Sequence, residues 1–227
     1  MINNWYLMRS GTADAAWNMA VDEALLESMP RLQRPVLRFY GWTEPAASFG
    51  YFQKYQEVEV LTHLRPLVRR PTGGGIVPHD ADWTYSLAFP TNHEWYALKA
   101  VASYRSVHDW LQAAFAKLGV VTEVAPCCLK SGPGQCFQGH EQYDLLWQGR
   151  KIAGAAQRRT RQGLLIQGSV QPPPVRRSRD EWESVMCQSG PAETVQWAAL
   201  EPDPELAQAV RLLVAEKYSR DSFNRKR

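Results

Sequence analysis

Apolar residues recur in two distinct periods along this chain. Between Asp14 and Met29, Trp17, Val21, Ala24 and Leu25 fall on one helical face, which predicts a helix capped by Thr12 and ended by Pro30. A stronger three- and four-residue repeat joins Leu98, Val101, Tyr104, His108, Leu111, Phe115 and Leu118, and Gly119 stops it. Elsewhere the pattern is that of strands. Trp5–Met8, Pro35–Tyr40, Ala47–Tyr51, Leu67–Arg70, Trp83–Phe89 and Val120–Val124 are short, rich in aromatic and β-branched residues, and bounded by Gly or Pro. Tyr143–Trp147 and Lys151–Gln157 flank a Gln148-Gly149 turn and predict a hairpin, with Leu164–Val170 as its neighbour. Two helices, Asp180–Met186 and Pro204–Tyr218, finish the chain, and the tail from Asn224 to Arg227 is expected to fray. Strands outnumber helices and hairpins are short, so the fold class is α+β, an antiparallel or mixed sheet packed against helices on one side.

Composition narrows the function classes. The 227 residues are 44% hydrophobic and 22% charged, ordinary for a globular domain. No apolar run approaches the ~20 residues that span a bilayer. The opening residues, Met1 to Tyr6, have neither a basic nor an apolar segment of the signal-peptide kind, so a cytoplasmic protein is expected. A net charge of +3 is too mild for a nucleic-acid binder and is compatible with an acidic protein partner. Cys127, Cys128, Cys136 and Cys187 are expected to be thiols, and the five histidines have no metal-ligand spacing, so no metal site is expected.

Three segments carry candidate chemistry. In Arg69-Arg70-Pro71-Thr72-Gly73-Gly74-Gly75, followed by His79-Asp80, the glycines let backbone amides approach an anion or carbonyl, and the arginines add fixed charge. The spacing fits neither a Walker loop nor a Rossmann turn, and glycine serves plain hairpin sterics equally well. Lys151 stands after a tight turn and opens the small-residue run Ala153-Gly154-Ala155-Ala156, which leaves room above a sheet; a surface hairpin lysine has the same pattern. Cys136 follows a Gly/Pro loop near Lys130, Arg150 and Lys151, surroundings that favour a thiolate, although most lone cysteines are buried hydrophobes.

Taken together these segments resemble the lipoate/biotin protein ligase superfamily. The Arg-Arg-Pro-Thr-Gly-Gly-Gly loop, the strand Gly149-Arg150-Lys151-Ile152-Ala153-Gly154-Ala155-Ala156-Gln157, the helix Asn18 to Leu26 and the hairpin from Arg38 to Gln53 occur in the superfamily's order. Within it, Cys136-Phe137 and Tyr143-Asp144-Leu145 resemble the cysteine-dependent octanoyltransferases. Gly75, and Gln167 where those transferases often have histidine, depart from that pattern.

The resemblance implies a large, mainly antiparallel sheet against helices, shared with biotin ligases and class II aminoacyl-tRNA synthetases. It implies a single catalytic domain over 1–227, with a core of about 5–170, a C-terminal helical extension over 175–227 and no accessory domain. The implied activity is octanoyl transfer from octanoyl-acyl carrier protein, through Cys136, to a lysine of a lipoyl domain or a glycine-cleavage H-type protein. Lys151 is the implied partner of Cys136 in catalysis. Arg70, Gly73, Gly74, Gly75, His79, Tyr40, Trp42, Gly154 and Gln157 are the implied substrate-binding residues, with Phe49 beside Tyr40 and Trp42 in the acyl slot. His79 and His140 are candidate general bases. No cofactor, nucleic acid or membrane is implied. The alternatives are ATP- and Mg²⁺-dependent lipoate ligation and a non-catalytic member that binds lipoyl domains.

Overall fold

A computed structural model describes residues 3–129, 139–173, 175–191 and 195–226. In chain order the elements are β1 (Asn3–Ala13), α1 (Ala15–Leu32), β2 (Val36–Trp42), β3 (Ala46–Phe49), α2 (Tyr55–Val58), β4 (Leu67–Arg69), β5 (Val77–His79), β6 (Trp83–Pro90), α3 (Glu94–Ala97), α4 (Ala100–Lys117), β7 (Glu123–Val124), β8 (Leu145–Trp147), β9 (Arg150–Thr160), β10 (Gly163–Val170), α5 (Arg179–Gln188), β11 (Val195–Ala199), α6 (Pro204–Leu213), a π-helical turn (Val214–Tyr218) and α7 (Asp221–Asn224).

Eight strands form one sheet in the order β11-β1-β2-β6-β10-β9-β8-β7. β1 runs parallel to both neighbours; α1 is the crossover that returns the chain to β2, and β11 joins the other edge after α5. Every other pair in this sheet is antiparallel. A small second sheet, β4-β3-β5, carries the glycine loop between β4 and β5. The α+β expectation therefore holds. Helices, however, cover both faces of the large sheet, not one. Val36 and Ala88 pack with α1, whereas Leu37, Phe39, Leu87 and Phe89 pack with Trp110, Leu111 and Phe115 of α4 and Trp182 of α5. All eight residues of β6 and of β10 are buried, as sheets covered on both faces require.

Several boundaries differ from those predicted. Asp14 caps α1, its side chain accepting from Trp17 N at 2.7 Å, while Thr12 is still paired in β1 opposite Gly41. Pro30 lies inside α1 because one lost backbone bond near the end is outweighed by burial of Leu25, Leu26 and Met29; Gln33, at φ 53°, ends the helix. Trp17 is 38% exposed, since α1 buries its Met19–Leu26 stretch between the sheet and α6. Val101 is likewise exposed, outside the buried stripe of α4.

The C-terminal region is not purely helical: β11 extends the large sheet in parallel register with β1. The tail is also anchored as far as Lys226. Buried Arg69 donates to the carbonyls of Phe223 (3.1 Å), Asn224 (3.1 Å) and Lys226 (2.6 Å), and to those of Tyr51 (2.8 Å) and Gln53 (2.6 Å). Among the described residues, no helix is long and apolar enough to cross a membrane.

Candidate active site

One pocket gathers the chemistry. Met19 and Tyr40 form one part of its wall, Ser48, Arg70, Gly74 and His79 come from the small sheet and its loop, and Lys151, Gly154 and Gln167 come from β9 and β10.

Lys151 reaches this pocket through a bulge. Pairing steps one residue along β8, Leu145 to Leu146, while it steps two along β9, Ala153 to Lys151. The extra residue, Ile152, re-aims the strand, so that Lys151 and Gly154 share a side. The lysine head then occupies the space that Gly154 leaves: a Cβ there would lie 2.8 Å from both Lys151 Cε and Nζ. The side chain of Lys151 is 7% exposed, and its Nζ stands 2.7 Å from Oδ2 of the fully buried Asp144. Tyr104 donates its hydroxyl to Asp144 Oδ1, and Glu141 N donates to Oδ2 at 2.7 Å. Burial, then Asp144, holds the Tyr104 phenol well above its usual range, so it remains a donor. The ammonium is thus desolvated but paired, and faces ligand space.

The glycine loop is built differently from the sequence expectation. Arg70 is turned onto the loop itself, donating to the carbonyls of Gly73 (2.5 Å, Nη2), Gly75 (2.7 Å) and Ser48 (3.2 Å). Its charge fixes the loop's shape as well as lining the pocket. Gly74 has φ 88°, which favours glycine, and the loop packs so closely on Gly50 that a Cβ there would fall 1.9 Å from Gly74 O. Arg69 is not among the residues that line the pocket; its guanidinium donates to the five backbone carbonyls named above.

Behind the pocket, the carboxylate of Asp22 on α1 collects four donors: Arg38 Nη1 (2.7 Å), Tyr40 OH (3.0 Å), Ser86 Oγ (2.6 Å) and Gln167 Nε2 (2.7 Å). Gln167 Oε1 in turn accepts from Thr72 Oγ1 at 2.7 Å, so it bridges α1 to the start of the glycine loop. This bridge was not foreseen in the sequence, nor were Met19, Val77 and Gly168 as pocket lining, whereas Ala155 and Ala156 belong to the small-residue run expected to leave room above the sheet. Tyr40 lines the pocket, its phenol held well above the usual range by burial and then by Asp22.

Other expected residues are placed elsewhere. Trp42 stands behind His79, stacked at 3.9 Å, and donates to Thr84 Oγ1 at 2.8 Å. Phe49 packs into the small sheet's own core with Val58, Leu67 and Ile76. Gln157 turns away to the start of α4, where its Nε2 donates to Ala100 O at 2.7 Å. Gly73 and Gly75 shape the loop but do not line the pocket. His140 shares a neighbouring cleft with Lys151 and is bound through its backbone to Leu129. Cys136 lies outside the described residues, four positions before His140. Cys127 and Cys128 are exposed, and burial pushes the Cys187 thiol up to about 11.

The fold is that of lipoate–protein ligases. Superposition on lipoate-protein ligase A bound with ATP gives a TM-score of 0.79 at 20% identity, covering 99% of each chain. A bi-partite lipoate protein ligase of Thermoplasma acidophilum, solved in work on its E2 lipoyl domain, gives 0.74 at 20% identity, covering 99% of this chain and 98% of that one.

Residues 14–171 match the lipoyl protein ligase A/B catalytic domain, and the chain belongs to that family. Among curated relatives, the octanoyltransferase LipM of Halalkalibacterium halodurans is 37% identical over 182 residues, covering 74% of this chain and 66% of the relative. The LipM of Staphylococcus aureus is 35% identical over 183 residues, covering 75% and 66%. The chain thus spans just under two thirds of the length of these relatives.

Proposed function

We propose that this protein is an octanoyltransferase of protein lipoylation, moving an octanoyl group from octanoyl-acyl carrier protein to a lysine of a lipoyl domain or an H-type protein. The observation that carries the reading is the paired, desolvated Lys151 beside the glycine loop, in a chain 35–37% identical to named octanoyltransferases.

In the first half-reaction the Cys136 thiolate attacks the acyl carbonyl of the donor. The donor's C–S bond breaks, its carrier thiolate leaves and takes up a proton, and an octanoyl-enzyme thioester forms. In the second, the acceptor's neutral ε-amine attacks that thioester. The Cys136–acyl bond breaks, the amine releases a proton to water, and the thiolate is regenerated. A thiolate suits the first step because thioester exchange is nearly isoenergetic, and amide formation then makes the second step favourable. Lys151, kept in place by Asp144, donates to the carbonyl oxygen as negative charge develops there. Met19, Val77 and Ala155 supply apolar wall for the alkyl chain, each buried methylene contributing ~0.8 kcal/mol. Tyr40, Arg70, Gly74, His79 and Gly154 complete the binding surface, with Gly73, Gly75 and Trp42 supporting it from behind. The chain acts as one catalytic domain in the cytoplasm, where Cys136 stays reduced.

The test is to mix enzyme, a lipoyl domain and octanoyl-acyl carrier protein, with and without ATP. Octanoylation without nucleotide is expected, as is an enzyme mass gain of one octanoyl group that hydroxylamine removes. Cys136→Ala is expected to lose both. Modification that requires ATP, Mg²⁺ and free lipoate, with pyrophosphate released in step, would establish ligation instead.

A further inference from the structure

Three buried side chains outside the Cys136–Lys151 pair form a connected unit at the wall of the same pocket. Ser48 Oγ lies 2.8 Å from His79 Nε2, and His79 Nδ1 lies 2.8 Å from Asp82 Oδ2. Ser48, His79 and Asp82 are 2%, 5% and 8% exposed, and the first two line the pocket. β3 and β5 bring them together: Ser48 pairs with Val77, two positions along from the Ala46–His79 pair and so on the same face, and Asp82 follows in the turn before β6.

The hydrogen bonds fix which way the protons point. Asp82 Oδ2 also accepts from Thr84 Oγ1 at 2.8 Å and Ser169 Oγ at 2.7 Å. A carboxylate oxygen that already accepts from two hydroxyls acts as an acceptor toward His79 as well, so Nδ1 carries the imidazole proton and Nε2 is left to accept from the Ser48 hydroxyl. Trp42, stacked on the ring at 3.9 Å with an 18° tilt, locks its plane. Arg70 Nη1 stands 3.4 Å from Ser48 Oγ, so one cationic donor adjoins the hydroxyl, and Lys151 is a second cation in the lining of the same pocket. Nucleophile, base and orienting carboxylate are recognised by such geometry and not by sequence order.

We propose that Ser48 is a second nucleophile, with His79 as its general base and Asp82 positioning that base, and that the pocket hydrolyses medium-chain acyl thioesters and activated esters without Cys136. Ser48 Oγ attacks the acyl carbonyl as its proton passes to His79 Nε2. The C–S bond of the thioester, or the acyl C–O bond of an activated ester, breaks, and the departing thiolate or phenolate takes that proton, leaving an acyl-serine ester. A water then attacks the ester, giving its proton to Nε2. The C–O bond breaks, Ser48 recovers the proton, and the free acid leaves. The activity is hydrolysis, distinct from transfer to lysine, and discharges acyl donors when no acceptor lysine is present.

The experiment uses the full chain with Cys136→Ala as background, so that failure of the transfer reading and of this one are seen separately. Release of p-nitrophenol from p-nitrophenyl octanoate and of thiol from octanoyl-N-acetylcysteamine is followed, and an octyl fluorophosphonate label is mapped by peptide mass spectrometry. The label is expected on Ser48. Adding Ser48→Ala or His79→Gln is expected to lower hydrolysis by about 10³-fold or more, and Asp82→Asn by a comparable factor, in variants that circular dichroism shows to be folded at the assay temperature. Hydrolysis unaffected by Ser48→Ala, or a folded Cys136→Ala protein in which Ser48 takes no label, would overturn the proposal. If Ser48→Ala does not fold, the label on the Cys136→Ala protein decides alone.

Discussion

Replacing Gly154 by alanine separates the chemistry of Lys151 from the stability of the sheet. The backbone at Gly154 is not in the left-handed region, so alanine meets no strain of its own. Its Cβ, however, would lie 2.8 Å from Lys151 Cε and Nζ and 3.1 Å from Asp144 Oδ1. Carbon contacts settle at about 3.5–4.0 Å, so the lysine head must retreat by roughly 0.7 Å or more. The flexible lysine yields before the buried Asp144, and the 2.7 Å pairing between them opens. A misplacement of about 1 Å costs on the order of 10² in rate, and outright loss of an oxyanion donor ~10²–10³. Stability works in the opposite direction, because alanine restricts the unfolded chain and contributes about 0.4–1 kcal/mol where the native backbone allows it. The expected result is kcat for octanoyl transfer, read as mass gain on the lipoyl domain, down by at least ~10², with the urea midpoint unchanged or slightly raised. A kcat within threefold of wild type would refute the role given to Lys151. An activity loss that merely tracks a fall in the urea midpoint would refute the argument from close contact.

Asp22→Ala strips the fully buried Arg38 of its ionic partner, and urea unfolding is expected to show a loss of about 3–5 kcal/mol; a loss below ~1 kcal/mol would contradict the network. Gly50→Ala drives a Cβ to 1.9 Å from the carbonyl of Gly74, and backbone cannot swing aside as a side chain does. Both activity and melting temperature are therefore expected to fall, and a fully active variant would show that the loop is looser than described. At pH 8, iodoacetamide is expected to label Cys127 and Cys128 well before Cys187. A thiol with a pKa of about 11 is only roughly one part in a thousand thiolate there, and raising the pH toward 11 should close the gap. Equal rates at pH 8 would remove the effect ascribed to burial.

The hairpin at Gln148-Gly149, both residues at positive φ, and the long helix α4 were legible because their signals are local. The helical period of α1 was weaker evidence, since the helix is buried on two sides and its polar residues Asn18, Asp22 and Glu23 lie inside. Nothing local marks β11 as a strand of the large sheet: its partner Trp5 is far away in sequence, and the edge position leaves Val195–Ala199 without a clean alternation. The same holds for Ser48, His79 and Asp82, which share no motif spacing and meet only when β3 pairs with β5. Gln157 illustrates the opposite failure. It belongs to the recognised strand, yet the direction of its side chain was set by α4, and it points away from the pocket. The arginine pair was legible as important, but which carbonyls it would bind was not.

The five carbonyls on Arg69 tie the birth of the pocket to a late event in synthesis. Three of them belong to residues 223–226, made more than 150 residues after the arginine itself. At about 5–20 residues per second, a nascent chain waits on the order of ten seconds or more with that guanidinium still seeking acceptors. Burying it earlier would leave only the Tyr51 and Gln53 carbonyls to receive its protons, so the strand that leads into the glycine loop is expected to lock fully once residues 223–226 arrive. Removing residues 223–227 is therefore expected to lower both the melting temperature and octanoyl transfer, and a truncated chain as stable and active as the full one would contradict this reading. Residues 223–226 are thus a clamp, closed late in synthesis, on the strand that leads into the pocket.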